Sequence, residues 1–258
     1  MGSNCCRVYW KVSTDKGALL GKGAFNKADY PVSNCLPVGT INLPLHTLLS
    51  ATRVAVEVGV SGTPYRNSWS CWVYPAAPVA APNGLIVTDS YRTAIDALQN
   101  GATVLLSPGL KSLTGVEGRF VPVFWSPVHF PDQPGTMGQL IKADHPALRQ
   151  FPTADHTDWQ WWDLVKRSKS LPVDSLPDEA ILVRVIDNFV TNRNLANLFE
   201  VQVGKGKLLF SGIDLLTDQV NRPVARQLYN TLVTYLQSKD FDPKTKVSAE
   251  WIWQLIKE

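Results

Sequence analysis

Cysteine is scarce and unevenly placed: Cys5, Cys6, Cys35 and Cys71 are the only four, and none follows position 71. None sits in a Cys-x-x-Cys pair and no histidine falls at zinc-ligand spacing from them. A zinc module is therefore not expected, no metal or other cofactor is implied, and at most one disulfide is expected, confined to the N-terminal sandwich, with Cys35 or Cys71 and either Cys5 or Cys6 as its conceivable partners. No apolar run reaches the ~18 residues of a spanning helix, so no membrane partner is expected. The opening Met-Gly-Ser-Asn-Cys-Cys-Arg lacks the charged start and apolar core of a signal peptide. A strand-like run begins almost at once at Arg7-Val-Tyr-Trp, so the chain reads as cut from a longer polypeptide. Asn-x-Ser/Thr sequons are absent too, which argues against a eukaryotic secreted protein. Lys and Arg number 25 against 22 Asp and Glu, and the densest basic stretch is only Lys166, Arg167 and Lys169. That mild balance excludes an electrostatic nucleic-acid surface.

What the chain does have is apolar content and tryptophan: 45% hydrophobic residues and nine Trp in 258 residues, enough for well-filled cores. Residues 7–74 read as strands (Arg7–Ser13, Ala18–Phe25, Thr40–Leu45, Arg53–Val60, Asn67–Tyr74) separated by turn chemistry such as Asp-Lys-Gly and Ser-Gly-Thr-Pro. Arg53-Val-Ala-Val-Glu-Val-Gly-Val alternates at period two, as a half-buried antiparallel strand does. The spacing predicts a small antiparallel β-sandwich over 1–75. A Pro/Ala linker follows over 76–84, and the pattern then changes.

From residue 85 to 258, apolar strand runs alternate with helical ones. Strands are predicted at 85–88, 103–107, 121–125, 181–186 and 208–213. Ser90 can cap a helix from Tyr91 to Gln99, and a long helix runs from Arg222 to Ser238 with Pro223 in its first turn. This alternation predicts an α/β domain on a largely parallel sheet. Gly204-Lys-Gly-Lys lacks the phosphate-loop pattern and reads as a hairpin turn. Ala249–Ile256 reads as a short amphipathic helix whose Ile252, Leu255 and Ile256 need cover.

Catalytic signatures are missing. No Gly-x-Ser-x-Gly occurs, and no cysteine is available for a nucleophile elbow in the second domain. No motif pairs two carboxylates as glycoside hydrolysis requires. Asp155, Asp158 and Asp163 cluster near His156, a composition that fits surface or helix-capping roles better than acid–base work. The distinctive segment is His145-Pro-Ala-Leu-Arg-Gln-Phe-Pro-Thr-Ala-Asp-His-Thr-Asp-Trp-Gln-Trp-Trp. At about 100° per residue on a helix, Trp161 and Trp162 share an arc with Leu164 and Val165 and should anchor it. Trp159 falls on the margin. With His156 and Asp158 it can form an aromatic, polar platform for a sugar or small ligand, to which Trp125 and His129 would be neighbours. The alternative is that all three tryptophans only pack.

Asn67-Ser-Trp-Ser-Cys-Trp-Val-Tyr-Pro resembles the last strand of a sandwich domain late in family 2-type, β-galactosidase-like glycoside hydrolases. His145 to Leu148, Phe151 to Thr153, His156 to Trp162, Gly204 to Leu208 and Arg222 to Leu228 resemble motifs of the domain that follows it there. The resemblance spans nearly the whole chain. It implies an Ig-like sandwich, then a flavodoxin-like, three-layer α/β domain similar to class I glutamine amidotransferases without their nucleophile. It also implies a non-catalytic C-terminal portion of a bacterial enzyme acting in the periplasm or outside the cell. Upstream catalytic domains would be its partners, with oligosaccharide and a second copy of the chain as further candidates. Two rival readings stand beside it: a self-contained hydrolase using the His156/Asp158 region, and a pure oligomerisation module.

Overall fold

The computed structural model describes residues 5–26, 28–31, 33–76, 83–121, 128–131 and 135–256. The chain is β-rich with few helices, and it divides into two compact units, Met1–Pro75 and Ala76–Glu258.

The first unit contains β1 (Cys5–Cys6), β2 (Val8–Thr14), β3 (Leu19–Ala24), β4 (Ala28–Asp29), β5 (Thr52–Val60) and β6 (Arg66–Val73). Strands β3-β2-β5-β6 form an antiparallel sheet, while β1 and β4 pair separately. Thr14 lies opposite Val54, so Val8, Val12 and Val54 share the sheet's buried face. The strand expected at Thr40–Leu45 is extended loop instead. Gly39 and Pro44 interrupt that run, and Leu43 serves as a packing residue, reaching over Gly21 of β3. Cys35 and Cys71 are exposed and unbridged. Most of the 76–84 linker lies outside the described residues.

In the second unit come β7 (Leu85–Thr88), α1 (Tyr91–Gln99), β8 (Thr103–Leu106), β9 (Val116–Glu117), β10 (Thr136–Ile141), α2 (Trp162–Lys166) and β11 (Lys169–Pro172). They are followed by β12 (Ile181–Asp187), β13 (Leu195–Val203), β14 (Gly206–Ser211), α3 (Pro223–Leu236), β15 (Lys246–Val247) and α4 (Ala249–Trp253). Ser90 accepts from Thr93 N as the cap of α1, and Pro223 opens α3. The main sheet runs β10-β12-β13-β14-β8-β7.

That sheet is mixed, which corrects the expectation of a largely parallel one. Strands β7, β8 and β14 are mutually parallel, but β13, β12 and β10 alternate in direction. The reason is connectivity. Only β7 and β8 are joined by a helical crossover, whereas β13 returns directly into β14 through the Gly204-Lys205 hairpin. Gly204 takes a φ of 58°, which glycine adopts without strain. Two cores flank the sheet. Leu164, Leu228 and Leu232 bring α2 and α3 onto one face, and Ile95, Leu98 and Ile252 bring α1 and α4 onto the other. The strand expected at Val121–Trp125 lies, past Val121, outside the described residues.

Candidate binding site

The tryptophan-rich run is not one regular helix. Asp158 caps a 3-10 turn over Trp159–Trp161, its carboxylate accepting from Gln160 N at 3.0 Å, and α2 begins only at Trp162. The tighter winding rotates the three rings apart. Trp161 is fully buried, edge-on to Phe151 at 5.5 Å, with its indole N–H donating to Thr153 Oγ1 at 2.8 Å. Trp162, expected to be an anchor, is instead 44% exposed and carries the Lys166 ammonium 4.3 Å from its ring centre. Trp159 is 75% exposed and leans on Phe120, ring centres 5.5 Å apart.

Beside Trp159 lies a cavity of about 320 Å³. Its strand wall comes from three successive strands: Gln139 on β10, Val185 opposite it on β12, and Asn197 on β13. Its other walls are the 118–121 segment, Thr157 and Trp159, and the α2–β11 junction with Val165, Ser168 and Ser170. Gly118 is what lets the first of these walls close. A Cβ there would stand 2.0 Å from the Val165 carbonyl, and Gly118 N–H donates to Ser168 O at 2.9 Å. Phe120 is thereby set under Trp159. Among the described residues lining the cavity, Arg119 is the only charged side chain.

The predicted site residues fare differently. Trp159 lines the cavity. His156 and Asp158 belong to the same turn but are not among the residues lining it. Asp158 is engaged as the cap. His156 is exposed, with Nδ1 2.6 Å from Asp155 Oδ1, a contact that holds the Asp155 carboxyl below its usual range. His129 is exposed and does not line the cavity, and Trp125 lies outside the described residues. Sequence reasoning missed Gln139, Asn197 and Phe120. Thr136-Met-Gly-Gln-Leu-Ile was not read as a strand, although Gly and Gln interrupt it only briefly, and β13 also went unrecognised.

Chemically, this arrangement offers an aromatic face, aliphatic walls and amide or hydroxyl groups, with no carboxylate among the described lining residues. Such a lining can stack on a ring and hydrogen-bond a polar ligand, and Arg119 can pair with an anionic group.

Fold and site together define a β-rich, two-unit protein with a small aromatic-rimmed cavity in its second unit. The chain belongs to the family described as a domain of unknown function, DUF8487, whose model matches residues 85–257. A second domain of unknown function, DUF8488, matches residues 4–75. No curated protein matches the chain.

Proposed function

We propose that the chain is a non-catalytic accessory portion of a β-galactosidase-like glycoside hydrolase, with a weak glycan-binding role centred on Trp159. In this reading the first unit is an Ig-like sandwich. The second is a divergent flavodoxin-like, amidotransferase-type domain, for which helices on both faces of a partly parallel sheet give support. The observation that carries the functional reading is the cavity beside Trp159. It joins an exposed indole face to amide and hydroxyl groups, with Arg119 beside them, the combination that stacks on a sugar's C–H face and reads its hydroxyls. Such stacking is worth about 1 kcal/mol per aromatic contact, so affinities are on the order of millimolar.

The test is twofold. The 258-residue chain should not turn over aryl β-glycosides, and it should bind oligosaccharides weakly, with Trp159→Ala reducing that binding at unchanged melting temperature. Turnover abolished by Asp158→Asn would instead make the chain a hydrolase in its own right. Glycan titrations flat up to tens of millimolar would remove the binding role.

A further inference from the structure

Resting on that reading, we propose that the cavity beside Trp159 is an end-on subsite for one neutral sugar ring, with the Gln139 carboxamide oxygen accepting one of its hydroxyls. A chain of amides beside the cavity has a fixed orientation. Asn197 is fully buried, and its Nδ2 donates to the Lys169 backbone carbonyl at 2.8 Å. Its Oδ1 must therefore face the other way, where it accepts from Gln139 Nε2. That leaves Gln139 Oε1 as the free end of the relay. Gln139 is only 4% exposed, and this oxygen has no hydrogen-bond partner among the described residues. A buried acceptor in that state is costly, and native proteins retain few of them without a role. Gln139 lines the cavity, so a small turn about its soft terminal torsion brings Oε1 to a hydroxyl donor placed there.

The cavity's size and lining decide which donor. About 320 Å³ stands at the lower limit of small-molecule sites, which favours one ring over a chain of rings. Gly138 carries no side chain, so bare strand backbone lines part of the space. Val185 and the Trp159 face supply apolar contact, no described lining residue carries negative charge to pair with a cationic ligand, and Arg119 is the single cation present, able to donate to a sugar hydroxyl. A neutral polyhydroxylated ring meets these conditions.

The test follows the Trp159 indole and Gln139 carboxamide NMR signals of the whole chain during titration with galactose and glucose, then lactose and glucuronate. Two variants approach the cavity from different sides. Gln139→Met removes the acceptor, and Val185→Phe, on the same sheet face as Gln139, fills the space. A neutral monosaccharide should move both signals, and either variant that keeps its melting temperature should bind about ten-fold more weakly or worse. If lactose moves Trp159 while Gln139 stays still and both variants bind like the parent, the sugar lies across the platform. The subsite is then wrong and the accessory reading stands. Tighter binding of glucuronate than of glucose would also overturn the neutral-ring assignment. If no saccharide moves Trp159 up to tens of millimolar, both readings fall.

Discussion

Arg222, buried at the start of α3, donates from Nε to Asp163 Oδ2 at 2.9 Å and so ties the tryptophan-bearing segment to the long helix. Its Nη1 also lies 3.3 Å from Asp214 Oδ2, and the same atom donates to the Thr217 carbonyl at 3.1 Å. Two motifs that stand 59 positions apart in the chain are thus one structural feature.

Removing this guanidinium leaves Asp163 and Asp214 without their shared cation. Arg222→Met should lower stability by about 3–5 kcal/mol, measured by urea denaturation. A loss below 1 kcal/mol would mean that solvent, together with Arg167 3.5 Å from Asp214 Oδ2, already satisfies both carboxylates.

The three tryptophans should separate by mutation. Trp161→Ala opens a large cavity beside Phe151 and should cost about 3–5 kcal/mol. Trp162→Ala gives up only a half-exposed ring and its Lys166 contact, so about 1 kcal/mol is expected. Trp159→Ala should leave stability nearly unchanged. Equal losses for all three in denaturant titrations would contradict the split described above.

Glu200 on β13 is buried and accepts the Tyr235 hydroxyl at 2.8 Å. Burial pushes its pKa up, with the Tyr235 bond opposing in part. A carboxyl whose folded pKa exceeds its unfolded value contributes stability below the unfolded value and loses it as pH rises through the folded one. Glu200→Gln keeps an acceptor for Tyr235 and has no proton to lose. The variant should therefore melt higher than the parent at pH 8 and at nearly the same temperature at pH 4. The reverse order would show that the ionised carboxylate is welcome there.

Helix α4 is expected to act as a clasp for its own unit. Ile252 and Leu255 are buried in the core that also holds α1, Tyr91 donates to the Ala249 carbonyl at 2.9 Å, and Thr114 N–H donates to Leu255 O at 2.9 Å. Deleting residues 248–258 should cost several kcal/mol, on the order of two lost large side chains. It should also speed amide exchange in α1. Unchanged exchange at Ile95 and Leu98 would mean that α1 holds its place unaided.

Local signals in the sequence were the most reliable guide. Ser90, Pro223 and the Gly204-Lys205 turn each act on their own neighbours, and the elements they delimit appear where their chemistry puts them. The burial of Ile252 and Leu255 was legible for the same reason, from spacing alone. Strand direction was not, because an apolar run such as Leu208-Leu-Phe reads identically in either sense. Trp162 was misplaced because ideal helical angles were applied across residues that Asp158 winds as a 3-10 turn. Gln139 and Asn197 carry no local mark at all. Their pairing is made by strands 58 positions apart, and only the sheet brings them together.

The turn that presents Trp159 is also stitched to the outermost strand. Ile141 N–H donates to Asp155 O at 2.8 Å, and Leu140 bridges to His156 in antiparallel fashion. Among the described residues β10 ends the main sheet, and Met137 and Leu140 on it are exposed. A sheet edge left bare invites other chains to add strands to it. The Asp155–His156 turn therefore doubles as a guard against self-association, and shortening it would bring sticky, concentration-dependent assembly before any change in the interior was felt.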